Sequence, residues 1–94
     1  MEEATVRQLW YISDLLKHFR RGGKTTKQLR EWFPTKDAAQ KAIETLLAAD
    51  HREAERINKL PVEMRLWAHK ELTDEEWDAL IKGGKEWQER ERAD

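Results

Sequence analysis

Apolar side chains recur at steps of three and four from Val6 to Phe19, and this spacing constrains the chain more than any other feature, because only a helix gathers such positions on one side. Val6, Leu9, Trp10, Ile12, Leu15, Leu16 and Phe19 predict an amphipathic helix over 4–21. Arg20 and Arg21 complement its negative end, and Gly22-Gly23 stops it. Thr25 and Thr26 are hydroxyl caps, Gln28 stands three places after Thr25, and Pro34 closes the segment. A short helix over 26–33 is predicted, with Leu29, Trp32 and Phe33 on one side. Thr35 then caps a third helix over 36–49, whose inner stripe is Ala39, Ala42, Ile43, Leu46 and Leu47 and whose outer side carries Lys36, Asp37, Gln40, Lys41 and Glu44.

Beyond Asp50 the pattern reads with a period of two. Ala54, Met64, Leu66 and Ala68 alternate with charged neighbours, and Asn58-Lys59-Leu60-Pro61 supplies a turn. A hairpin wing over 51–70 is predicted, pairing residues 51–57 with 63–69 and setting Glu55 opposite Arg65 and His51 opposite His69. Leu72-Thr73-Asp74-Glu75-Glu76 reads as a capping box. Trp77, Leu80, Ile81 and Trp87 continue a helical stripe over 74–92, with Gly83-Gly84 as a candidate break.

A chain of 94 residues supports one modest core, so a single domain over 1–94 is expected, without a deep substrate cavity. The absence of cysteine excludes a disulfide framework, a thiolate zinc site and a thiol nucleophile. His18, His51 and His69 lack a third partner for a metal, and the lone serine, Ser13, lies within the first helix with no base beside it. No enzyme activity, metal or cofactor is therefore expected. The acidic start Glu2-Glu3 lacks the features of a secretion signal, and no apolar run approaches the roughly 18 residues of a membrane span, so a cytoplasmic protein without membrane contact is expected.

The order helix, short helix, tight turn, longer helix, two-stranded hairpin, helix resembles the winged helix-turn-helix proteins. Residues Ile43-Glu44-Thr45-Leu46-Leu47-Ala48-Ala49-Asp50-His51 are similar to the helix ending that precedes a wing. Leu66 followed by Leu72-Thr73-Asp74-Glu75-Glu76 resembles MarR- and PadR-like regulators, in which the second wing strand runs into a Leu-Thr-acidic-acidic helix start. The wing tip departs from that pattern in being less basic. The resemblance implies a mainly α fold with a small β-hairpin, and sequence-specific binding of double-stranded DNA by a small transcriptional regulator with helix 36–49 in the major groove.

Charge placement fits that expectation. The net charge is −1, yet residues 15–41 carry a net +6 and residues 42–94 a net −5. Gln40 is the candidate reader of adenine, Lys36 and Lys41 reach guanine or phosphate, and Lys24, Lys27 and Arg30 grip the flanking backbone. Thr25, Thr26 and Thr35 sit at helix N-termini that favour phosphate, and Lys59 sits at the wing tip. Trp10, Trp32 and Trp77 fall on predicted inner stripes, whereas Trp67 points away from the apolar side of the hairpin. Trp67, Trp77, Leu80, Ile81 and Trp87 are the candidate contacts of a homodimer or a protein partner. The alternative reading uses the same fold as a protein–protein interaction module, an adaptor or inhibitor subunit of a larger assembly.

Overall fold

The computed structural model describes residues 2–81, and every regular element among them is a helix. Four are α1 (Val6–His18), α2 (Thr26–Trp32), α3 (Lys36–Asn58) and the single-turn α4 (Val62–Arg65). A fifth, α5, is described over 74–81. None of these helices is long and apolar enough to cross a membrane.

The helix starts follow from their caps. The Thr5 hydroxyl accepts the Gln8 N–H at 3.1 Å while the Gln8 side chain accepts the Thr5 N–H at 3.0 Å, and Thr25 and Gln28 repeat the reciprocal pair at α2. Thr73 and Glu76 form the same box at the start of α5, as the sequence predicts. The end of α1 differs from expectation. The left-handed residue that closes it is Arg20, at φ 60°, upstream of both glycines. The Arg20 N–H reaches Lys17 O at 3.2 Å and the Arg21 N–H reaches Leu16 O at 2.9 Å, the paired bonds of a Schellman ending.

The core lies where α1 packs along α3 with α2 across their start. Leu9, Ile12, Leu16, Leu29 and Leu46 are fully enclosed, with Phe19, Phe33, Ile43 and Leu80 around them. Trp32 and Trp77 pack against its edge, with ring centroids 5.9 Å apart and planes near perpendicular, the arrangement that aromatic quadrupoles favour. Trp10 is not a core residue. At 100° per residue it stands across α1 from the line through Leu9, Ile12 and Leu16, and it is 61% exposed. Val6 and Leu47 are exposed as well.

The expected winged fold with a small β-hairpin is corrected, because no strand exists among the described residues. Instead α3 runs through residues 51–58 to Asn58. The physical reason is Glu53. The inner stripe Ala39, Ala42, Leu46, Ala49 continues at helical spacing onto a carboxylate, so the apolar period stops while the helix does not. His51 to Arg56 also holds good helix formers with no glycine or proline before Pro61. The expected cross-strand pairs are absent accordingly. Glu55 pairs with His51 one turn back at 3.3 Å, and Arg65 donates to Asn58 O at 2.7 Å and Leu60 O at 2.9 Å. His69 instead hydrogen-bonds Arg20.

What replaces the strand ladder is a charged clasp. Glu53, 5% exposed, accepts from Arg56 Nε at 2.8 Å and from the Glu71 N–H at 2.9 Å. Arg56 also donates to His69 O at 2.8 Å, and Arg52 donates to Glu71 O at 3.0 Å and pairs with Glu76 at 2.7 Å. Lys70 pairs with Asp50 at 2.9 Å. Side chains of α3 thereby hold residues 69–73 and present Thr73 to begin α5. The remainder of the predicted last helix, with Gly83-Gly84 and Trp87, lies outside the described residues.

Candidate nucleic-acid interface

The three-residue connection 33–35 joins α2 to α3 and leaves the outer side of α3 open to solvent. Lys36, Asp37, Gln40, Lys41 and Glu44 are all exposed there, on the side turned away from α1. Lys27 is exposed on α2. Neither Lys27 nor Lys41 pairs with a carboxylate among the described residues.

The other expected contacts are more committed. Thr35 is buried at 3% exposure with its hydroxyl accepting the Ala38 N–H at 3.1 Å, so it is closed to a phosphate. The Thr25 hydroxyl serves Gln28 in the same way, and Thr26 is half-buried in the first turn of α2. Lys24 lies over the Trp32 ring, 5.3 Å from its centroid. Gln40 donates to Glu44 at 3.4 Å. Lys59 is the C-cap of α3, about 34 Å along the helix from Lys36 at 1.5 Å per residue, and therefore lies at the other end of α3 from Lys36 and Lys41.

Sequence reasoning missed the acidic strap over this face. The Glu2 carbonyl accepts the Lys36 N–H at 3.0 Å, the Ala4 N–H donates to Pro34 O at 3.1 Å, and Glu3 bridges to Thr35. These bonds lay residues 2–4 across the start of α3. The Glu2 carboxylate then meets Lys36 Nζ at 2.7 Å, and Glu3 meets Arg30 at 3.5 Å. The hydrogen bond from Lys36, reinforced by its charge, holds the Glu2 carboxyl below the ordinary range. The adjacent pair of acids at the N-terminus was the only signal of this strap in the sequence. Its partners depend on the fold.

A second feature of α3 also follows from helix geometry. Asp37, Glu44 and Glu55 recur at intervals of seven and eleven residues and so share one line on the outer crest, with Lys41 beside it. The crest is acidic along its middle and basic on its flank. Of the candidate partner contacts, Trp67 is 82% exposed, Trp77 and Ile81 are half-buried, and Leu80 belongs to the core. Trp67 has exposed apolar neighbours in Val62, Met64 and Leu66. Among the described residues no group of three His, Asp or Glu side chains is placed to hold a metal. No protein-family description, no curated protein and no solved structure matches the chain.

Proposed function

We propose that the protein binds double-stranded DNA through α2 and α3, in the manner of a helix-turn-helix regulator, with the first three turns of α3 in the major groove. The observation that carries this reading is the open outer side of α3 beside a short turn, with Lys27 and Lys41 unclaimed by any described carboxylate. A major groove about 12 Å wide admits a helix presented in this way. Lys27 and Lys41 supply the phosphate contacts, and a duplex displaces Glu2 and Glu3 to recruit Lys36 and Arg30. Asp37 and Glu44 can only accept from bases, so they face the amino groups of cytosine or adenine, the donors that the major groove presents.

The test is binding of a random 20-base-pair duplex at low and rising salt. Affinity should fall steeply with salt, and Lys27→Glu combined with Lys41→Glu should abolish binding while leaving the helical circular dichroism unchanged. A wild-type protein that ignores duplex DNA at low salt overturns the reading.

A second reading, a protein-interaction module, draws on the exposed apolar residues Val62, Met64, Leu66 and Trp67 around α4. It uses the other end of α3 and is compatible with the first. Recovery of one stoichiometric protein partner, lost on Trp67→Ser, favours it.

A further inference from the structure

We propose that the groove between the end of α1 and residues 70–72 is a binding site for a phosphate-class oxyanion, held by Arg20, Arg21 and Lys70. The groove measures about 340 Å³ and is lined by Phe19, Arg20, Arg21, Lys70, Glu71 and Leu72. Liquid water occupies roughly 30 Å³ per molecule, so a phosphate fits with part of its hydration.

Three cations and one carboxylate line the groove. Among the described residues neither Arg20 nor Arg21 pairs with an acid, and Asp50, which takes Lys70 at 2.9 Å, is shared with His18 at 3.2 Å. The Arg21 guanidinium lies over the Trp77 ring, 4.6 Å from its centroid. The ring holds the guanidinium in place, and among the described residues no hydrogen bond or ion pair engages its N–H groups, which leaves them for oxygens. Arg20 meets His69 Nε2, which accepts only while the imidazole is neutral, so that contact adds no negative charge to the groove.

The backbone supplies an independent argument. Arg20 holds the left-handed position that closes α1, where glycine carries no Cβ penalty, and two glycines stand just beyond Arg21. The helix ending accounts for the left-handed backbone, but an arginine at a position that glycine fits better, beside a groove of like charge, agrees with a binding role for its side chain. This inference does not depend on how α3 is used. The anion is either a free phosphorylated molecule or a backbone phosphate of a nucleic acid.

The full chain is titrated with inorganic phosphate, with chloride at equal ionic strength, with a mononucleotide and with a 20-base-pair duplex. The readouts are the arginine Nε–H and tryptophan indole N–H resonances. Phosphate should move the signals of Arg20, Arg21 and Trp77 where chloride does not. Arg20→Gly should weaken phosphate binding roughly tenfold or more while raising the melting temperature, and Arg21→Gln should weaken it comparably. A duplex that competes with phosphate, and binds less tightly to Arg20→Gly, identifies a backbone phosphate. A mononucleotide that binds more tightly than phosphate while the duplex leaves these signals unmoved identifies a free ligand. A response no larger than that to chloride, unchanged binding by Arg20→Gly, or a lower melting temperature for that variant overturns the proposal.

Discussion

Two side chains decide more than their neighbours do. Arg20 closes α1 at φ 60°, a conformation that disfavours any residue with a Cβ. Arg20→Gly should therefore stabilise the fold by about 1 kcal/mol, a rise of roughly 4–8 °C in melting temperature for a domain of this size. Glu53 acts in the opposite sense. Its carboxylate is buried in α3 and tied to Arg56 and to the Glu71 N–H, so Glu53→Ala should cost about 2 kcal/mol in chemical denaturation, chiefly by freeing residues 69–73. Burial alone pushes this carboxyl up, but the hydrogen bonds from Arg56 and Glu71 outweigh it and hold it below the ordinary range. Asp50, through Lys70, shifts downward too, as does Glu76, where Thr73 and Arg52 overcome the effect of burial. In each case the folded value lies below the unfolded one. The stability these groups confer is therefore complete above about pH 4.5 and is lost as pH falls through the folded values. Urea midpoints measured from pH 7 down to pH 3 should show this fall, and Glu53→Gln should make it shallower. An equal fall in both proteins removes Glu53 from the account.

At the scale of elements, the pattern of caps and stripes was sufficient for α1, α2, the first half of α3 and the start of α5. Such signals are local: Thr25 with Gln28 and Thr73 with Glu76 each act across three residues, as does the box of Thr5 with Gln8, which the expected helix over 4–21 overlooks and which starts α1 at Val6 rather than at residue 4. The second half of α3 was not legible, because its core position is filled by a glutamate whose partners lie on a distant segment. The expected inner stripe ends at Leu47 within a helix bounded at residue 49, and the alternation of Ala54, Met64, Leu66 and Ala68 with charged neighbours then reads as a hairpin. Amide and Cα chemical shifts decide between the two. Residues 51–58 should show helical Cα shifts, and Glu55→Pro, placed inside α3, should destabilise the protein by about 3 kcal/mol or more. Strand-like shifts over 51–57 would restore the hairpin. The candidate interface was legible in the same partial way. The exposed row of α3 was found from periodicity, but the strap of Glu2 and Glu3 and the groove beside Arg20 arise from contacts between segments far apart in the chain.

For the whole molecule, the distribution of exposed groups matters more than the net charge of −1. Leu66 and Trp67 are 83% and 82% exposed and contribute little to the core. Trp67→Ser should leave the melting temperature nearly unchanged, within about 0.5 kcal/mol of stability, while reducing any concentration-dependent association seen by sedimentation. A large loss of stability in that variant would show that Trp67 is packed.

The undivided course of α3 has a mechanical consequence. Docked in a major groove by its outer side as proposed, α3 would contact the duplex over its first three turns only, and the remainder of its 23 residues would continue beyond the contact. A companion molecule gripping the far extremity would then stand clear of the duplex, and its position would be fixed by the direction in which the helix continues rather than by any contact of its own with the bases.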